Sequence, residues 1–285
     1  MRRRDLVTTF AVAGLAQMGR AGAQTPTPSK STGRLKQCVT SGVFDPKMSF
    51  EDRCRMAADL GCVGYDLVRA SDWPTLKKYG LTPTMAPPNA GVSIPNGIND
   101  KSTHDKIEPT MRTAIDQCAA GGCPNLITVS GSRRGMSDAE GADNSVAFLN
   151  KVKAQAEDKN VTICLELLNS KIDHKDQMCD HTVWGVDVVK RVNSPKVKLL
   201  YDIYHMQIME GDICRTIHDN FQWIAHFHTG GVPGRHELND SQEVNWVAVM
   251  KAIAATSYGG YVAHEFRPTG DPLESLRQAV DLCDV

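Results

Sequence analysis

Val197 to Asp212 read "VKLLYDIYHMQIMEGD", and the segment changes character halfway along. It opens as an apolar run of strand type and ends on Asp202 with no turn residue beside it. His205 follows three positions later. A carboxylate at the end of a buried run needs something to face, and the rest of the chain supplies a pattern that answers the question.

Seven further runs of the same kind are present: "LKQCVT" (35–40), "VGYDLV" (63–68), "LTPTMAP" (81–87), "NLITVSG" (125–131), "VTICLE" (161–166), "IAHFH" (224–228) and "GYVAHE" (260–265). Between them lie stretches of helical period at 50–60, 104–120, 144–159, 181–192, 212–221, 245–257 and 273–282, with Asp212 expected to cap its helix and at most a short helix in "ASDWPTLKKYG". Strand and helix alternating in this way is the signature of βα units around a parallel sheet. Eight such units predict a single-domain (β/α)8 barrel over residues 35–285. The Gly/Pro-rich segment 87–101 is too long for a plain connection and is expected to form a lid or rim loop.

The last four strands end alike. "TICL" runs into Glu166, "KLLY" into Asp202, "IAHF" into His228 and "YVAH" into Glu265. One carboxylate at a strand end is an ordinary helix cap. Four ligand-type residues on successive strands converge at the C-terminal mouth of a barrel, and three crowded carboxylates repel one another unless a cation or protons neutralise them. Asp202 is therefore expected to face a cation. Three carboxylates and one imidazole without thiolate suit one divalent ion of the Mn²⁺, Mg²⁺ or Co²⁺ type, with positions left for the neighbouring oxygens of a hydroxy-carbonyl substrate.

Composition narrows the function further. The chain has 285 residues, 41% hydrophobic and 23% charged, with a net charge of -1. That balance carries no basic face for nucleic acid. Residues 1–23 combine Arg3-Arg4, a short apolar stretch and Ala21-Gly22-Ala23, which is the form of a twin-arginine-type export signal and implies a periplasmic or otherwise exported protein with no membrane segment once mature. Residues 24–34 read as a tether. The nine cysteines are odd in number and lack paired spacing, so they are expected as small core residues.

"YDIYHMQIMEGD" and "GGVPGRHE", with "LELLNS" upstream, resemble the hydroxypyruvate isomerase group of the xylose-isomerase-like TIM barrels, a superfamily that also holds ketose 3-epimerases. The resemblance runs from about Lys36 to the C-terminus. It implies a divalent metal on Glu166, Asp202, His228 and Glu265, with Glu166 and Glu265 also exchanging the substrate proton. His228 stands where the hydroxypyruvate isomerases usually carry glutamine and looks more like the epimerases. His205 and Arg235, which the residues alone leave as structural and surface groups, are implied to contact substrate oxygens. Asn169 is placed with them as a residue whose amide orients a neighbour, an Asx-turn being the alternative.

The activity implied is isomerisation of a small sugar or keto acid through an enediolate, hydroxypyruvate to tartronate semialdehyde being the candidate. C3 epimerisation of a ketose is the first alternative and a non-catalytic sugar-binding relative the second. A nuclease of the endonuclease IV type shares the superfamily but would need more histidines and a basic face. Barrels of this group often pair, so a homodimer is expected. The segment "SKIDHKDQMCDHTVWG" (170–185) is expected as a solvated lid, and Met206, Met209 and Trp184 as an apolar wall under or beside the site.

Overall fold

A computed structural model describes residues 33–285; the expected export signal and most of the tether lie outside the described residues. All eight expected strands form: β1 (Lys36–Val39), β2 (Gly64–Asp66), β3 (Thr82–Met85), β4 (Asn125–Thr128), β5 (Thr162–Glu166), β6 (Val197–Asp202), β7 (Ile224–Thr229) and β8 (Tyr261–His264). Every pairing is parallel, in the order β3-β2-β1-β8-β7-β6-β5-β4. Between β3 and β4 the ring is closed by the bridge from Ala86 to Leu126, with Ala86 N–H donating to Asn125 O at 2.8 Å and Ile127 N–H to Ala86 O at 3.2 Å. The molecule is a (β/α)8 TIM barrel.

The helices are α1 (Phe50–Asp59), α2 (Trp73–Lys78), α3 (His104–Gly121), α4 (Asp138–Asp158), α5 (Thr182–Val192), α6 (Ile203–Met209), α7 (Ile213–Asn220), α8 (Trp246–Ala254) and α9 (Pro272–Cys283). Three local features depart from expectation. Helix α4 starts six residues before Asn144, because the Ser137 hydroxyl accepts from Glu140 N–H. Gly141 interrupts the pattern there for a packing reason: a Cβ on it would lie 1.8 Å from Met178 Sδ. Helix α6 follows β6 with no intervening turn, since the Asp202 side chain itself caps it by accepting from His205 N–H at 3.1 Å. Asp212 does not cap α7; with φ of 47° it sits in the left-handed region, and its carboxylate pairs with Arg215 instead.

Inside the barrel Met85, Ile127, Cys164 and Leu200 pack together, all at most 3% exposed. The larger apolar cluster lies between strands and helices, where Leu76, Phe148 and Trp246 are buried. All nine cysteines are unpaired; eight are buried and Cys214 is exposed. No described helix is long and apolar enough to cross a membrane. Gly33 and Arg34 already dock on the C-terminal end, through Gly33 N–H to Asp284 Oδ1 at 2.6 Å and Arg34 N–H to Val285 O at 2.9 Å.

A candidate metal centre at the barrel mouth

Strand register brings the four strand-end residues together. Asp202 sits beside His228 in the β6–β7 pairing, and Glu265 N–H, just past β8, donates to Thr229 O at 3.1 Å. One ligand-type atom from each of Glu166, Asp202, His228 and Glu265 lies within 4.8 Å of the others. His228 Nδ1 is 2.6 Å from Glu265 Oε2, 3.7 Å from Asp202 Oδ2 and 3.9 Å from Glu166 Oε1. Asp202 and His228 are fully buried, Glu166 is 8% exposed, and the Glu265 side chain is 27% exposed. Capping does not take Asp202 out of the cluster: Oδ1 takes the helix N–H and Oδ2 faces the other three residues.

These residues fit a divalent cation on two grounds. The buried Nδ1 of His228 has no hydrogen-bond partner although Glu265 Oε2 is close, so the two atoms share a focus and do not bond to each other. The charges also leave room for one ion, because three carboxylates face the single guanidinium of Arg235. Burial, with the negative charges of Glu265 and Asp202, raises Glu166 to about 8. Burial also opposes ionisation of Glu265 and Asp202, but Arg235 together with His228 and His205 outweighs it and holds both carboxyls below their usual range. A carboxyl lifted so far holds a proton that a cation would displace.

Arg235 is fixed on several sides. Its Nη2–H group donates to Asp202 Oδ2 and Glu265 Oε2, both at 2.6 Å, its Nε–H donates to the Glu265 backbone carbonyl at 2.9 Å, and its guanidinium lies 4.8 Å from the Tyr204 ring centre. The turn that presents it, "GGVPGR", places Arg235 at φ of 57°. Its Nη1 lies 3.0 Å from His205 Nε2. Burial lowers the His205 imidazole to about 4, so the ring is neutral at physiological pH.

Asn169 is fully buried behind the residues that line the cavity and contacts His205. Its Oδ1 accepts from Ile172 and Asp173 N–H at 3.1 and 2.9 Å, which is the Asx-type turn, and this leaves Nδ2–H to donate to His205 Nδ1 at 2.6 Å. The turn and the orienting contact coexist. The other ring nitrogen, Nε2, faces Arg235 Nη1, a group that can only donate.

The cavity over this cluster has a volume of about 430 Å³ and is open to solvent. Glu166, Glu265, His205 and Arg235 line it, whereas Asp202 and His228 lie behind them. Its apolar walls come from Leu67, Pro88, Ile94, Ile127, Val129 and nearby residues. The expected wall is misplaced: Met206 and Met209 are buried in the helix layer, and Trp184 donates to Asp138 O at 3.0 Å on the outer helices. The 170–185 segment is also not a solvated lid throughout, since Gln177, Met178 and Cys179 are buried and Cys179 N–H donates to Ser130 Oγ at 2.9 Å. Within it His174 reaches the cavity, with its ring 5.2 Å from that of His205, while His181 pairs with Asp180 away from it.

Two residues near the site are not found by the strand-end argument. Arg267 lines the cavity with its guanidinium unpaired among the described residues. Asp66, at the end of β2, is 1% exposed and accepts from His228 Nε2–H at 3.0 Å.

A parallel (β/α)8 barrel gathering three carboxylates and an imidazole at its C-terminal mouth has the build of a metal-binding enzyme barrel. The chain belongs to the xylose isomerase-like TIM barrel family, whose family model matches residues 74–284. It is 26% identical over 171 residues to a human protein provisionally named hydroxypyruvate isomerase, a match covering 58% of this chain and 62% of that protein. It is 22% identical over 239 residues to the 2-oxo-tetronate isomerase of Pectobacterium atrosepticum, covering 80% of this chain and 90% of the relative. Among solved structures, a family 2 AP endonuclease from Brucella melitensis superposes with a TM-score of 0.77 at 23% identity, covering 85% of this chain and 96% of that one. This last likeness is one of fold.

Proposed function

We propose that the protein is a metal-dependent isomerase that moves a proton between neighbouring carbons of a small hydroxy-keto acid, with hydroxypyruvate the named candidate. The observation that carries this reading is the division of the cluster: Asp202 and His228 are buried behind it, while Glu166 and Glu265 reach the cavity beside His205 and Arg235. A divalent cation of the Mn²⁺, Mg²⁺ or Co²⁺ type held by the four residues would polarise the substrate carbonyl and offset charge on an enediolate. Glu166 and Glu265 are the bases in reach of substrate carbon. One takes a proton from C3 and the other returns one to C2, while the hydroxyl hydrogen passes from O3 to O2. The Arg235 guanidinium, beside His205, donates to the oxygens on which negative charge gathers.

Arg267 favours an acid over a neutral ketose. An unpaired guanidinium on the wall of the cavity suits a substrate carboxylate. Arg267→Leu is expected to raise KM for hydroxypyruvate about 10- to 100-fold, the worth of a charge-assisted hydrogen bond. Epimerisation of a neutral ketose, if it occurs at all, should be unaffected. An unchanged KM for the acid, or wild-type turnover confined to ketoses, would move the assignment to a 3-epimerase.

The same reading includes export through residues 1–23 and a homodimer. Replacing Arg3 and Arg4 together with lysine is expected to retain the protein in the cytoplasm, and continued export would refute the twin-arginine signal. Sedimentation velocity of the purified protein tests the dimer.

A further inference from the structure

Asp66 lies at the end of β2, across the barrel from the four residues already assigned, and nothing in their chemistry uses it directly. Its carboxylate is surrounded by donors. Thr84 Oγ1–H donates to Oδ1, while His226 Nε2 at 2.6 Å and His228 Nε2 at 3.0 Å both approach Oδ2. A carboxylate offers only acceptor atoms, so each imidazole must carry hydrogen on Nε2 to bond there. In a neutral ring the lone pair is then on Nδ1. For His228 that atom is the one aimed at Glu265, Asp202 and Glu166. Both Nδ1 atoms, of His226 and of His228, are buried without a hydrogen-bond partner, although Glu265 Oε2 stands 2.6 Å from that of His228 and Asp66 must hold the hydrogen on Nε2 against it.

We propose that Asp66 is a positioning residue that commits His228 to its Nε2–H form and thereby selects Nδ1 as the atom offered to the cation. This rests on the metal-site reading above. A histidine whose free ring nitrogen is held by a carboxylate is both oriented and made a better donor. His226, sharing the same oxygen, holds the carboxylate in place from below without reaching the cluster.

Zn²⁺ serves as a diamagnetic probe, with affinity measured by chelator competition and ring protonation by ¹⁵N-histidine NMR of the zinc-loaded full chain. Asp66→Leu keeps the branched four-atom skeleton, with bulkier methyl groups in place of the oxygens, but removes the acceptor, and it is expected to weaken zinc about 10- to 100-fold. Asp66→Asn keeps an acceptor oxygen and is expected to recover most of that loss. His228 of the wild type is expected to show Nε2–H with Nδ1 on the metal. A residue that merely fills space would give the opposite order, with Asp66→Leu binding like wild type. That result, zinc on Nε2 of wild-type His228, or Asp66→Asn no better than Asp66→Leu, would each overturn the proposal. If Asp66→Leu does not fold, the wild-type ring form and the Asp66→Asn affinity decide. Should the wild type bind no zinc, the metal-site reading fails by itself. Asp66 is then judged on the metal-free spectra, where Nε2–H must be present in wild type and lost in Asp66→Leu.

Discussion

Asp202→Asn protein purified without chelator is expected to hold almost no divalent ion, where the wild type holds about one Mn²⁺, Mg²⁺ or Co²⁺ per chain. The loss should exceed the roughly 10- to 100-fold that removal of an outer partner of a ligand costs, because a ligand charge itself is gone. Asparagine is the informative replacement. It retains an oxygen that can accept from His205 N–H and so preserves the cap of α6, which alanine would forfeit at about 1 kcal/mol. Arg235 also stays anchored, through Glu265 Oε2 and the Glu265 carbonyl. Metal content by mass spectrometry, read beside an unchanged circular-dichroism melt of the metal-free protein, separates a lost ligand from a damaged fold. Full occupancy in the variant would remove Asp202 from the site.

Glu265→Gln, assayed at saturating metal, is expected to lower turnover by about 10²- to 10⁴-fold, the usual contribution of a positioned general base. The amide keeps the side-chain shape and one oxygen toward the cluster but cannot accept a proton from carbon. Arg235 would not be released, because its Nε–H is bound to the backbone carbonyl of residue 265 and its Nη2–H to Asp202. Glu166→Gln should fall in the same range, since both glutamates and neither of the other two cluster residues line the cavity. A variant of either with full activity would leave that glutamate as a holder of metal alone.

The legible part of this site is the part that obeys strand geometry. Glu166, Asp202, His228 and Glu265 each end an apolar run, and parallel strands in a barrel carry their C-terminal ends to one mouth. Asp66 obeys the same rule but is concealed, because Leu67 and Val68 continue the apolar run past it and β2 shifts register between Tyr65 and Asp66. Arg267 is likewise hidden beyond β8, where only the folded cavity shows that it belongs to the mouth. Helix α6 cannot be separated from β6 by composition, since Asp202, a residue of the cluster, doubles as its cap. Met206 and Met209 follow the site in sequence, yet the turn into α6 carries them into the helix layer, and the real walls come from loops after other strands. Such contacts depend on distant segments, which periodicity along the chain does not encode.

The most direct test of a metal-dependent proton transfer is to incubate hydroxypyruvate with Mg²⁺-loaded protein in D₂O and follow the early product by NMR against an enzyme-free control. Metal-dependent proton transfer predicts tartronate semialdehyde carrying deuterium on C2, formed only when metal is present and nearly abolished in Glu265→Gln, because the base that takes the proton meets solvent before it is returned. No conversion by the metal-loaded protein, or a product that retains the original hydrogen throughout as a hydride shift would leave it, would contradict it.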